Sequence, residues 1–132
     1  MHKVLISVCC LLLSFGSVAG ERIISAGAGV TELLIALDKQ DDLVAVDLTS
    51  RYPAVSKLPV IGYHRQLSAE GVLSLAPDIL IGSSEMGPQS TLDQLVQSGV
   101  EVMVLPTETT TKNLLDTITL LGEKLGRKSE AK

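Results

Sequence analysis

Residues 22–37 read Arg-Ile-Ile-Ser-Ala-Gly-Ala-Gly-Val-Thr-Glu-Leu-Leu-Ile-Ala-Leu, and the fold is decided by this stretch. Arg22 to Ser25 is a short apolar run of strand type. Gly27-Ala28-Gly29 then breaks it, and Val30, Leu33, Leu34 and Leu37 recur at spacings of three and four, one apolar stripe along a helix. A strand passing through a glycine turn into an amphipathic helix is the opening of an α/β unit, and the rest of the chain repeats the alternation.

Further short apolar runs occur at Leu43 to Val46, Ile79 to Ile81 and Val100 to Leu105. Between and after them, helices are expected at Ser68 to Leu75, Thr91 to Ser98 and Thr110 to Leu125, each opened by Ser or Thr as N-cap, with Gly99 as a C-cap. Strands alternating with helices predict right-handed crossovers. The expected fold class is therefore α/β: a Rossmann-like lobe with a mostly parallel sheet of about four to five strands, flanked by helices. Leu48 to Gln66 interrupts the rhythm with Pro53, Pro59 and Gly62 and carries Tyr52 and Tyr63. A loop of that length in a compact domain is usually functional. Ligands of open α/β sheets lie beyond the carboxyl ends of the strands. That rule directs attention to three loops expected to share one edge: the Ala26 to Gly29 turn, the Asp47 to Arg65 stretch and Gly82 to Pro88.

Upstream of Arg22, Met1-His2-Lys3 precedes an apolar run from Val4 to Leu13 and then Ser14, Gly16, Ser17, Ala19 and Gly20. This is the three-part pattern of a secretory signal peptide, and the run is too short for a membrane span of about 20 residues. Residues 1–20 are therefore expected to be removed on export. Cys9 and Cys10 leave with them, so the exported chain has no cysteine and its core of Leu, Ile, Val and Ala must hold it without disulfides. The chain of 132 residues has a net charge of −4 and no Lys/Arg cluster interleaved with aromatics, which argues against a nucleic-acid partner.

Gly27, Gly29 and Asp47 imitate a dinucleotide fingerprint, which would make the protein a nucleotide-dependent enzyme. The position of the third glycine holds Glu32, an anion where a pyrophosphate would sit, and a simple glycine turn accounts for the pattern better. Catalysis otherwise lacks support: there is no GxSxG, and Glu85 and Glu32 have no evident partner acid or base. Gly62-Tyr63-His64-Arg65 is the most suggestive run. In an extended segment Tyr63 and Arg65 face one way and His64 the other. A guanidinium beside a phenol favours phenolate, an anionic ligand suited to ferric iron. A loop Tyr with a hydrogen-bonded hydroxyl and a solvent-facing His64 are the plainer readings of the same residues. No zinc-type spacing is present, since His64 is the only histidine beyond the signal segment.

Three segments, Arg22 to Leu34, Val44-Ala-Val-Asp-Leu-Thr-Ser-Arg-Tyr-Pro and Leu58-Pro-Val-Ile-Gly-Tyr-His-Arg-Gln-Leu-Ser-Ala-Glu-Gly, together resemble haem-binding proteins of bacterial ABC importers. Leu75-Ala-Pro-Asp-Ile-Leu-Ile-Gly is similar to the segment that follows in the wider superfamily of siderophore, cobalamin and haem carriers. The resemblance implies a carrier rather than an enzyme, with ferric haem as cargo and an inner-membrane ABC permease as recipient. It also brings in an outer-membrane haem receptor system as a further partner. Tyr63 would be the axial iron ligand, and Arg65 would steady the phenolate or meet a propionate. Ser83 and Ser84, on the loop from Ser83 to Gly87, would line the cleft. Glu70 would dock onto permease arginines, a role its charge shares with simple pairing to a helix N-terminus. A cobalamin or ferric-siderophore carrier remains the rival, with Tyr63 as a pocket wall. Carriers of this kind have two lobes joined by a long helix, so residues 21–125 correspond to the N-terminal lobe. Residues 126–132 are then the start of the interlobe helix, cut short, or a frayed tail. Without the second lobe, a haem site would lose one wall and an apolar face would stay uncovered.

Overall fold

The computed structural model describes residues 20–106 and 110–132, so the expected signal peptide lies outside the described residues but for Gly20. Four strands, β1 (Ile23–Ala26), β2 (Leu43–Val46), β3 (Ile79–Ser83) and β4 (Glu101–Leu105), alternate with four helices, α1 (Ala28–Ala36), α2 (Ala69–Leu73), α3 (Gln89–Gln97) and α4 (Thr111–Lys124). The strands form one sheet in the order β2-β1-β3-β4, parallel throughout, with Ile23 opposite Ile79 and Ile79 opposite Glu101. The α/β expectation holds at its lower strand count.

The pleat of the strands sorts their apolar residues between two cores. Ile23, Leu43, Val46, Ile79, Ile81 and Leu105 meet Val30 and Leu34 of α1 and Leu121 of α4. Ile24, Ala26, Ala45 and Leu80 meet Val72 of α2 and Leu92 and Leu95 of α3 on the other face. β1, β2 and β3 are therefore covered on both sides, as a parallel sheet requires, while the edge strand β4 is only partly covered. Leu114, Leu115 and Leu120 of α4 and Val104 of β4 remain exposed.

Helix boundaries depart from expectation at three places, one of them the end of α2 at Leu73 in place of Leu75. α1 begins at Ala28, two residues before Val30, because Gly27 at φ 118° turns the chain immediately after β1. α3 begins at Gln89 behind Pro88 and not behind a Ser/Thr cap; the Thr91 hydroxyl donates to the Leu67 carbonyl at 3.2 Å. Ser68 and Thr110 do cap α2 and α4, accepting from the N–H groups of Gly71 and Asn113. Gly99, at φ 89°, follows α3 as expected, its N–H donating to the Val96 carbonyl at 3.0 Å. Beyond α4 the chain forms turns: Arg127 N–H donates to the Gly122 carbonyl at 2.7 Å, and Ala131 packs on the core.

The long loop between β2 and α2 is anchored to the sheet. Val46 bridges Val60 in parallel, with Val46 N–H donating to Pro59 and Ile61 N–H to Val46, and Leu48 N–H donates to Gly62. This extra pairing carries residues 59–62 along the carboxyl end of β2 and delivers Tyr63 and His64 to that edge.

Candidate ligand-binding site

β1 has β2 on one side and β3 on the other, with α1 and α2 on opposite faces, so the crossovers diverge at the carboxyl ends of β1 and β3. Ligand crevices of open α/β sheets form at such a switch point. The three expected loops do converge there, around an open cleft of ≈ 870 Å³. Gly27, Thr49, His64, Ser83 and Glu85 border its polar end, and Leu33 of α1 with Leu114 and Ile118 of α4 its apolar side.

A chain of polar side chains runs from the core to this edge. Ser25 Oγ lies 2.6 Å from Thr31 Oγ1, which lies 2.7 Å from Ser50 Oγ, and the Ser50 hydroxyl donates to Asp47 Oδ1 at 2.7 Å. Asp47, 1% exposed, also accepts from the Thr49 hydroxyl and from His64 Nδ1 at 2.9 Å. Burial pushes its carboxyl up, but the hydrogen bonds from Ser50, Thr49, His64 and the Gly27 N–H outweigh that and hold it below its ordinary 3.8. An ionised carboxylate only accepts, so Nδ1–H of the imidazole donates to it. Nε2 is left turned toward Glu85, 3.8 Å from Oε2.

These contacts revise the expected orientations. The chain is not extended through the Gly62 to Arg65 run: Tyr63 is extended, but His64–Gln66 form a 3₁₀ turn. The strict alternation is thereby lost. His64 is not solvent-facing; it is 8% exposed, borders the cleft, and meets the Tyr63 ring edge-on with centroids 4.6 Å apart. Tyr63 is 36% exposed; it does not itself line the cleft but adjoins it through its ring contact with His64. Arg65 forms an ion pair with Glu85, which draws its guanidinium onto the β3–α3 loop.

Of the serines, Ser83 borders the cleft, and its buried Oγ has no hydrogen-bond partner among the described residues; Ser84 is exposed on the same loop. Glu70 is exposed in the first turn of α2. Tyr52 acts as a strut, its hydroxyl donating to the Ala28 carbonyl at 3.1 Å. Burial and then the Glu32 carboxylate push its phenol up. The dinucleotide reading loses its acid: Asp47 is enclosed, with its carboxylate occupied by the turn and by His64, and is not offered to a ribose. Glu85, read from sequence as a carboxylate without an evident partner, is paired in the fold. Its partners, Arg65 and His64, lie about 20 positions away and meet it only through the fold.

Residues 23–132 match the profile of the periplasmic binding protein family. The chain belongs to that family. A periplasmic haem-binding protein from Pseudomonas aeruginosa superposes on this periplasmic binding protein lobe with a TM-score of 0.81 at 44% identity, covering 86% of this chain and 41% of that one. The periplasmic haem-binding protein HutB of Vibrio cholerae gives 0.80 at 46% identity, over 86% and 44% of the two chains. A vitamin B12-binding protein of Yersinia pestis is 36% identical over 92 residues, 69% of this chain and 33% of its own length. The lobe thus spans about a third of that relative and less than half of each of the two solved ones.

Proposed function

We propose that this chain is the N-terminal lobe of a periplasmic haem carrier, which takes up ferric haem at the carboxyl edge of its sheet and passes it to an inner-membrane ABC permease. The observation that carries this reading is the exposed Tyr63, standing beside the cleft with its ring against an imidazole that Asp47 holds in place. A phenol so placed can lose its proton to coordination and present an anionic oxygen to ferric iron. Arg65, two residues on, is near enough in sequence to serve a ligand carboxylate, and Ser83 offers a free hydroxyl within the cleft. Glu70 is exposed where a permease could meet it, and a rim charge of that kind acts on docking rate more than on fold. Haem delivered by an outer-membrane receptor system fits the same periplasmic location. No step in this reading makes or breaks a covalent bond of the cargo's ring, so the protein acts as a carrier and not as an enzyme.

The 44% and 46% identity to solved haem-binding proteins favours haem. A cobalamin carrier is the second reading, favoured by the 36% identity to a vitamin B12-binding protein. Parallel titrations of the purified chain with ferric haem and with cyanocobalamin, each followed by its visible absorption, separate them. Saturable haem binding that excess cyanocobalamin does not displace supports the haem carrier. Saturable cobalamin binding with no specific haem spectrum would replace it with the second reading.

A further inference from the structure

Glu85 does more than border the cleft. One of its carboxylate oxygens meets Arg65 Nη2, and the other lies 3.8 Å from His64 Nε2, so a single carboxylate spans a guanidinium and an imidazole. We propose that the Arg65 guanidinium is a seat for a ligand carboxylate, framed by His64, and that Glu85 is its built-in occupant, displaced when a carboxylate-bearing ligand enters the cleft.

The receiving side of the seat is rigidly framed. His64 is held through Nδ1 by the buried Asp47. The backbone on either side of Arg65 is stitched to the β3–α3 loop, with Gly87 N–H donating to the His64 carbonyl at 3.0 Å and Leu67 N–H to the Gly87 carbonyl at 2.9 Å. The occupant is loosely held by contrast. The side chains of Arg65 and Glu85 are 51% and 46% exposed, and ion pairs in that setting are weak and exchange readily. Glu85 borders the cleft while Arg65 stands behind it, so an incoming carboxylate meets the ion pair from the Glu85 side. An Arg fork takes a carboxylate from a ligand as well as from its own chain. Glu85 thereby sets a threshold: a ligand must bring a carboxylate able to outcompete it.

The inference rests on the haem reading for its cargo, since haem carries two propionates. Ferric haem and its dimethyl ester, which lacks free carboxylates, are titrated into the full chain, E85Q, R65A and the double variant. The expected result is haem binding about three- to tenfold tighter in E85Q, the scale of a half-exposed ion pair. The ester should bind all variants alike, and the gain should vanish in the R65A background. An unchanged or weaker affinity in E85Q, an equal gain for the ester, or a gain that survives R65A would each overturn the seat. A second measurement is independent of haem: acetate titrated into E85Q, followed by NMR of the Arg65 Nε–H and the His64 ring. Saturating shifts at lower acetate than in the unmodified chain support the seat even if haem fails to bind. Their absence removes it.

Discussion

Asp47 and His64, separated by 17 residues, are joined by a 2.9 Å hydrogen bond between a buried carboxylate and an imidazole at the edge of the cleft. That bond ties the end of β2 to the loop bearing Tyr63, and it links the hydroxyl chain inside the lobe to the groups that border the cleft.

Asp47→Ala leaves Ser50, Thr49, His64 and the Gly27 N–H without their shared acceptor, so it should destabilise the lobe by about 2–4 kcal/mol. Denaturant unfolding with a lowered midpoint and unchanged slope checks this. A loss within a few tenths of a kcal/mol would show that the network contributes little.

The same carboxyl predicts an acid limb. Its folded pKa lies below 3.8, so its contribution is fully present above that value and is lost as pH falls through the lower, folded one. Unfolding midpoints measured from pH 6 downward should drop in the native chain more steeply below about pH 4 than in Asp47→Asn. Parallel curves for the two proteins would contradict the assignment.

Much of this lobe was legible because its signals are local. The stripe of Val30, Leu34 and Leu37 and the turn at Gly27 are read within one segment, and the parallel pairing of the strands follows from the alternation, though not their order. The convergence of three loops at one edge followed as well. The orientation of His64 was not legible, because it depends on Asp47 and on a turn at residues 64–66 that replaces extended chain. Pro88 heading α3 likewise depends on Gly87 being fixed by the backbone of His64 and Leu67. The pairing of Glu85 with Arg65 joins loops after different strands, and no periodicity announces it.

Gly82→Ala should cost about 1–3 kcal/mol by overpacking, because a Cβ there would collide with the Met86 sulfur and lie 3.1 Å from the Ala26 Cβ. Thermal unfolding followed by far-UV circular dichroism gives the change, and a variant as stable as the native chain would mean that Met86 moves aside freely.

His64→Ala removes the donor to Asp47 and the edge-on neighbour of Tyr63, so a loss of about 1–2 kcal/mol is expected together with a freer Tyr63 ring. The chain has no tryptophan, so near-ultraviolet dichroism reports its two tyrosines directly. The Tyr63 contribution, isolated with Tyr52→Phe, should weaken in the His64 variant, and an unaltered band would separate the two rings.

The most direct test is a ferric haem titration of the native chain and Tyr63→Phe, followed by absorption and by resonance Raman of the iron–phenolate stretch. A saturable haem complex is expected, with a phenolate signature that disappears, along with most of the affinity, when the single oxygen is removed. Equal affinity and an identical iron spectrum in Tyr63→Phe would contradict it.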